Sequence, residues 1–295
     1  MFFDLNVPVV AHEFQGAAQS RKGKGKQPQQ NPAITFTPPQ ITAVEARIDL
    51  LVHLGYNVIA FNQIVEKRID PKTHVNILTP LLQQLKRRPG IIFLKRLTIV
   101  LDQDSEKGFG LTSANASIVE LYDLVSLVPT TASTFSSACL THSLPSPLTA
   151  HIISLPLTAP RLPFHLKHTL NGAVFEINYA GALGDTESNQ VNVGVSDSSI
   201  SAKRNWWAAA REVVRVTKGK GIIVSGGVYN GADYRAPKDV QNLITLLGLA
   251  QNLAHDASVV VPKSLVVRAQ TRKTYRAVLS EPRLVVPKAR NTPFH

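Results

Sequence analysis

Seven short apolar runs, separated by stretches of helical periodicity, constrain this chain more than any single residue does. They cover 2–8, 56–61, 91–101, 124–128, 151–155, 173–177 and 222–225. Uninterrupted apolar runs of this length are the pattern of strands buried on both faces of a parallel sheet. Lys95 is a point at which the third run can break.

The helical candidates lie between these runs. Ile41, Val44, Ile48, Leu51 and Val52 recur at helical spacing, Thr42 with Glu45 makes a capping box, and Gly55 offers a stop. Asn115 can cap a helix through Ile118, Val119 and Tyr122, a short helix fits 133–140, and a longer one fits 201–216. Repeated strand-helix units predict an α/β fold, and at 295 residues a closed TIM-like (β/α) barrel is favoured over an open doubly wound sheet.

Past residue 225 the alternation stops. Pro237 suits the first turn of a helix with Val240, Leu243, Ile244 and Leu247 as its apolar stripe, and a second helical pattern covers 265–279. No eighth strand is legible, so the barrel is expected to be incomplete or distorted, as one domain over 1–280 with a tail at 281–295. Residues 15–40, rich in Gln, Pro, Gly and Lys, are expected to form a flexible basic insertion after the first strand.

Composition narrows the function classes. Lys and Arg number 32 against 20 Asp and Glu, a formal charge of +12, which suits a polyanionic partner. Cys139 is the sole cysteine, so neither an intrachain disulfide nor a cysteine zinc cluster can form. No apolar stretch reaches membrane-spanning length and no signal peptide is legible, so an intracellular protein is expected, without membrane contact. The run from Arg21 to Lys26 resembles a nuclear-import patch or a nucleic-acid tether.

Searches for chemistry return little. There is no Gly-x-Gly-x-x-Gly fingerprint and no P-loop, and Ser225 lacks the glycine of a nucleophile elbow two residues before it. His165 and His168, with His142 and His151 upstream, lack the carboxylates of a hydrolytic metal site; Asp102 and Asp104 in a turn read as solvated acids. Asp4 and Asn6, two apart on the first strand, would face the same way at a barrel mouth, but asparagine is a poor ligand for a catalytic metal. Glu176, inside the sixth run, needs a cationic partner, for which Lys203 and Arg204 are candidates. No catalytic residue, bound metal or cofactor is assigned.

Positive charge is the better signal. Lys203 and Arg204 open the helix that carries Trp206 and Trp207, Arg211 and Arg215 follow, and Lys218 and Lys220 come just after it. Trp206, Ala210, Val213 and Val214 form an apolar stripe that takes at least one tryptophan into the core, whereas the basic edge can contact phosphates without burial. In the second block, Arg268, Arg272 and Arg276 would share a helical stripe beside Lys273, with no acid nearby in sequence.

Several pieces resemble the thirty-kilodalton protein subunit family of ribonuclease P and ribonuclease MRP. They are Phe3-Asp4-Leu5-Asn6-Val7-Pro8, Tyr122-Asp123-Leu124-Val125, Phe175-Glu176-Ile177-Asn178-Tyr179, Lys203-Arg204-Asn205, Arg235-Ala236-Pro237 with Asp239-Val240 and Asn242-Leu243, and Arg272-Lys273-Thr274. Each is weak alone, and their order and spacing together are specific. The resemblance implies a barrel akin to the polymerase-and-histidinol-phosphatase metallohydrolases, with Asp4 and Asn6 where those enzymes carry His-x-His. It also implies a noncatalytic RNA-binding subunit, with Arg235 joining the basic residues above. Its partners would be the catalytic RNA, a small subunit like an RNA-recognition motif, other particle proteins and, as particle substrate, precursor tRNA. Magnesium would sit on the RNA, cleavage would act on precursor tRNA and rRNA, and residence would be nuclear, in the nucleolus. The competing reading is a metal-dependent phosphoesterase built on Asp4, Asn6, Glu176 and a distant histidine.

Overall fold

The computed structural model describes residues 1–9, 36–66, 69–71, 74–101, 110–166, 171–184 and 199–273. Its centre is a sheet of seven parallel strands in sequential order: β1 (Phe3–Pro8), β2 (Val58–Glu66), β3 (Ile92–Leu101), β4 (Leu124–Pro129), β5 (Ile152–Ser154), β6 (Val174–Asn178) and β7 (Ile222–Ser225). Sequential parallel pairing with helical crossovers curls the sheet into a nearly closed barrel, as the seven apolar runs predict. β3 is continuous through Lys95, contrary to the expected break. Every residue from Ile92 to Val100 pairs with β2, which keeps the backbone extended whatever the side chain.

No ladder joins β7 to β1 among the described residues. The seam is bridged instead by the Gly227 N–H, which donates to the Asn6 carbonyl at 2.9 Å, and the Gly226 N–H, which donates to Asp4 Oδ1 at 3.0 Å. Gly226 is required here, because a Cβ on it would lie 2.6 Å from Asp4 Oδ2.

The helices are α1 (Pro38–His53), α2 (Leu78–Gln84), α3 (Ala116–Glu120), α4 (Ala132–Leu140), α5 (Ala180–Leu183), α6 (Ser199–Thr217), α7 (Pro237–Leu246), α8 (Gln251–His255) and α9 (Val261–Arg272). α1 starts earlier than its apolar spacing indicates. Its capping box is Thr37 with Gln40, Phe36 is buried, and Thr42 is already inside the helix with its hydroxyl on the Pro38 carbonyl. The predicted insertion is therefore too long at its C-terminal end, and residues 15–35 of it lie outside the described residues.

Asn115 sits at the N-cap position of α3 but does not cap it; its amide donates to the Ile69 and Gly110 carbonyls. α2 escapes periodicity because it has only seven residues, and its visible signal is Asn76, whose side chain accepts from the Leu78 and Thr79 N–H groups. α9 begins four residues before the predicted 265. A π-helical turn, Asp256–Val260, joins it to α8, and widening the coil there accommodates Pro262, which in sequence reads as a breaker. The remainder of the predicted helix, 274–279, lies outside the described residues.

Alternate strand residues divide the core in two. Ile59, Leu97, Leu127, Ile153 and Val224 face the surrounding helices in the larger cluster. Phe3, Val58, Leu94, Leu124, Ile152, Val174 and Ile223, each at or near the start of its strand, form a smaller luminal cluster. Leu265 and Ala269 of α9 pack onto it, so this helix plugs the N-terminal mouth of the barrel.

Candidate nucleic-acid interface

Barrel enzymes build their chemistry at the C-terminal ends of the strands. Here that part of the lumen is filled by a ring of polar side chains that satisfy one another. Arg96 Nε donates to Thr98 Oγ1 at 3.1 Å, Thr98 Oγ1 to Asn62 Oδ1 at 2.7 Å, Asn62 Nδ2 to Asn6 Oδ1 at 2.7 Å, and Asn6 Nδ2 to Asn178 Oδ1 at 3.1 Å. Ser225 Oγ stands 2.7 Å from Asn178 Oδ1 and 2.6 Å from Glu176 Oε1, and Glu176 closes the circuit on Arg96.

Arg96 and Glu176 are both fully buried. The guanidinium uses all five of its N–H donors: two on the Glu176 carboxylate, and one each on the Leu5 carbonyl, Ser126 Oγ and Thr98 Oγ1. Burial pushes the Glu176 carboxyl upward, but the Arg96 charge and the hydrogen bonds from Arg96, Ser225 and Ser154 outweigh it and hold the group below its ordinary value. The partner of Glu176 is thus Arg96, rather than Lys203 or Arg204, which lie exposed on α6. Arg96 was legible only as one of two adjacent charges, with Lys95, inside an apolar run, and local sequence does not say which of the two turns inward to meet the acid of the sixth run.

Asp4 and Asn6 do not form a pair. Between Asp4 and Val7 the β1–β2 register slips by a residue, and this bulge separates their roles. Asn6 enters the luminal ring, while Asp4 Oδ1 accepts the Asn6 and Gly226 N–H groups and clasps the seam. Burial raises the Asp4 carboxyl to about 6, against the lowering effect of those two N–H groups, and its Oδ2 has no partner among the described residues.

This donor set does not fit the metal centre of a phosphoesterase. A guanidinium occupies the lumen beside the Glu176 carboxylate, the amides of Asn6 and Asn62 are committed to neighbours, and no cluster of three or more His, Cys, Asp or Glu converges among the described residues. His151 is buried with Nδ1 accepting the Val125 N–H, His142 is half-buried, and His165 is exposed, so they make no common site. His168, Asp102 and Asp104 lie outside the described residues.

The basic residues take another place. α6 lies outside the barrel, its inner face held by buried Trp206, Ala210, Val213 and Val214. Trp206 Nε1 donates to the Asn178 carbonyl at 2.7 Å, tying α6 to a residue whose side chain belongs to the luminal ring. Gly181 makes that approach possible, since a Cβ there would sit 2.4 Å from Trp206 Cδ1.

Lys203, Arg204, Arg211 and Arg215 project from the outer face of α6. Trp207 is half-buried with the Arg211 guanidinium 6.0 Å from its ring centroid, a cation–π contact that leaves the charge in water. Arg215 is engaged by Glu212 through bonds of 2.8 and 2.7 Å, and its hydrogen bonds hold the Glu212 carboxyl below its ordinary value. Beyond the helix, Gly219 at φ +76° packs against Leu249 and leaves Lys218 and Lys220 exposed on either side.

The second basic block behaves differently from the predicted stripe. Arg268 spends part of its guanidinium on the Gly172 carbonyl at 2.6 Å, and Lys273 pairs with Asp123 at 2.8 Å, an acid 150 positions away that local sequence cannot reveal. The Arg272 side chain and Arg276 lie outside the described residues. Arg235, in the segment between β7 and α7, turns its guanidinium onto the Ala232 and Tyr234 carbonyls. Of the predicted RNA-binding residues that are described, those on the outer face of α6 and the turn after it are gathered together and, Arg215 apart, carry no carboxylate partner among the described residues.

The family model described as RNase P subunit p30 matches residues 1–274. The chain is 29% identical over 253 residues to ribonuclease P protein subunit p30 of Mus musculus, covering 81% of this chain and 85% of the relative. It is 28% identical over 240 residues to a probable ribonuclease P protein subunit 3 of Schizosaccharomyces pombe, covering 79% and 89%. It is 27% identical over 260 residues to the ribonuclease P/MRP protein subunit RPP1 of Saccharomyces cerevisiae, covering 84% and 74%. Among solved structures, a chain in the cryo-EM structure of archaeal ribonuclease P with mature tRNA superposes with a TM-score of 0.51 at 11% identity, over 83% of this chain and 95% of that one, which shows a common fold.

Proposed function

Since this chain belongs to the RNase P subunit p30 family, we propose that it is a noncatalytic, RNA-binding and scaffolding subunit of a ribonuclease P or MRP ribonucleoprotein. The observation that carries this reading is the contrast within one barrel. The position that would hold catalytic ligands is sealed by the Arg96–Glu176 ring, while Lys203, Arg204, Arg211, Lys218 and Lys220 stand exposed and without carboxylate partners among the described residues. A buried, fully paired arginine cannot take part in phosphoester chemistry without dismantling the core, whereas solvated cations along one helix suit the spacing of RNA phosphates.

In this role the protein supports cleavage of precursor tRNA and processing of precursor rRNA by an RNA that carries its own magnesium. A small subunit like an RNA-recognition motif and other particle proteins would be its protein partners. The run from Arg21 to Lys26 fits nuclear and nucleolar residence. Of the proposed RNA contacts, the α6 group has the strongest support; Arg235, Arg268 and Lys273 are already engaged within the protein and would contribute fewer donors.

The test is native purification of the tagged protein with sequencing of the retained RNA, followed by salt titration of that complex. One abundant structured RNA is expected, with affinity falling steeply as salt rises. Recovery of no RNA, together with phosphoester turnover by the isolated chain, would replace this reading with the enzymatic one.

A further inference from the structure

At the N-terminal mouth of the barrel, beside α9, lies a groove of about 520 Å³ that the RNA-binding reading leaves unused. Its walls include Pro145, Pro147, Ala150, Ala173 and Leu265; among the described residues Arg268 is its one Lys or Arg, and no Asp or Glu lines it. Gly172, at φ +91°, allows the guanidinium to lie directly against its backbone, where a Cβ would come within 2.9 Å of Nη1. Arg268 gives one N–H to the Gly172 carbonyl and one to the Ser264 carbonyl, leaving three of its five donors without a partner among the described residues.

Exposed apolar side chains stand next in sequence to residues of the lining. Leu144, between Ser143 and Pro145 of the lining, is 48% exposed, and Val267, which precedes Arg268 in sequence, is 51% exposed. A mainly apolar trough flanked in sequence by exposed leucine and valine suits a macromolecular contact better than a small ligand. A sugar-phosphate backbone needs repeated cations, and among the described residues this trough supplies one, beside prolines, alanines and uncharged polar side chains such as Thr149 and Asn171.

We propose that this groove docks a segment of another protein subunit that inserts apolar side chains and sets a carboxylate on Arg268. The inference rests on the particle-subunit reading above and adds to it a division of labour. α6 faces RNA, and the N-terminal mouth faces protein. The missing acid is the specifying element, because an apolar partner without one would bury the unspent guanidinium unpaired.

The test places a benzophenone photo-crosslinking amino acid at Pro147 in the full-length chain within the native particle, with a second probe at Arg211 on α6. Crosslinked peptides are then sequenced. A crosslink from position 147 to another subunit, within a few residues of an Asp or Glu, supports the proposal. Arg268→Gln should weaken it about tenfold, and Arg268→Glu combined with charge reversal of the identified acid should restore it. Crosslinks from 147 to RNA, to this chain's own residues, to a second copy, or to nothing would overturn the proposal. RNA crosslinks from position 211 would then show that the particle reading stands and that only the groove assignment has failed. Circular dichroism of Arg268→Gln checks that a weakened crosslink does not come from an unfolded chain.

Discussion

The lumen and the outer edge of α6 are built from the same charged residue types and use them in opposite ways. In the lumen, Arg96 and Glu176 are enclosed, every guanidinium donor is satisfied, and the pair is held in one geometry. On α6, Arg215 and Glu212 meet in water, and Arg211 rests against the Trp207 ring. Desolvation makes the difference: a buried charge must have its partners built in, while an exposed one can exchange them for a ligand's oxygens. The same charge is structural in one place and available in the other, and Asn178 links the two through its luminal side chain and its carbonyl on Trp206.

The largest expected effect comes from breaking the enclosed pair. Arg96→Met should lower the unfolding free energy by about 3–5 kcal/mol, because it strands the Glu176 carboxylate, and Arg96→Met with Glu176→Leu should recover much of that loss. Urea denaturation measures both. A drop below about 0.5 kcal/mol for the single variant would place Arg96 on a par with a surface charge and dissolve the contrast.

Next comes the seam. Asp4 binds its proton more tightly in the folded protein, at about 6 against 3.8, so the folded state holds more protons over that interval and stability falls as pH rises through it. Asp4→Asn keeps an acceptor for the Gly226 and Asn6 N–H groups and should flatten this slope, with a gain at neutral pH of at most about 3 kcal/mol. Glu176 acts in the opposite sense. Its lowered value contributes stability above the unfolded carboxyl range, lost as pH falls through its folded value. Denaturation midpoints across pH 4 to 7 for the two forms separate these contributions; an unchanged slope in the variant would remove Asp4 as its source.

Smaller effects belong to α6. Lys203→Ala with Arg204→Ala should leave stability within about 0.5 kcal/mol. If both side chains touch phosphates, the slope of log affinity against log salt should fall in magnitude by roughly 0.7–0.9 for each phosphate that the variant leaves unneutralised. An unchanged slope would take the start of α6 off the RNA face. Smallest is Glu212→Gln, which frees Arg215. Thermal melting should not move, and RNA affinity at low salt should rise modestly; a fall in affinity would mean that Glu212 positions Arg215 for RNA.

Much of the fold was legible, for identifiable reasons. The strands at 124–128 and 222–225 are short apolar runs, and Pro237 does open α7, because burial on both faces and a missing N–H are local properties. The start of α1 was misplaced because Thr37 and Gln40 sit in a Pro- and Gln-rich stretch that resembles linker. At the candidate site, Trp206 was legible as core and its basic neighbours as surface, since helical periodicity separates the two faces. The engagement of Lys273 by Asp123 was not, since the two meet only when α9 crosses the barrel mouth.

By itself, the sequence determined the strand-helix alternation, the excess of positive charge and the absence of a histidine pair on the first strand, because each depends on residue type and near spacing. Tertiary structure alone decided what the polar strand residues do. Asp4, Asn6, Asn62, Arg96, Glu176 and Asn178 come from four different strands, and only curling the sheet into a barrel brings them within hydrogen-bonding reach of one another or of the seam. A one-residue bulge then decided that Asp4 clasps the seam while Asn6 joins the ring. Register is set by pairing across the whole sheet, which no local stretch of sequence contains.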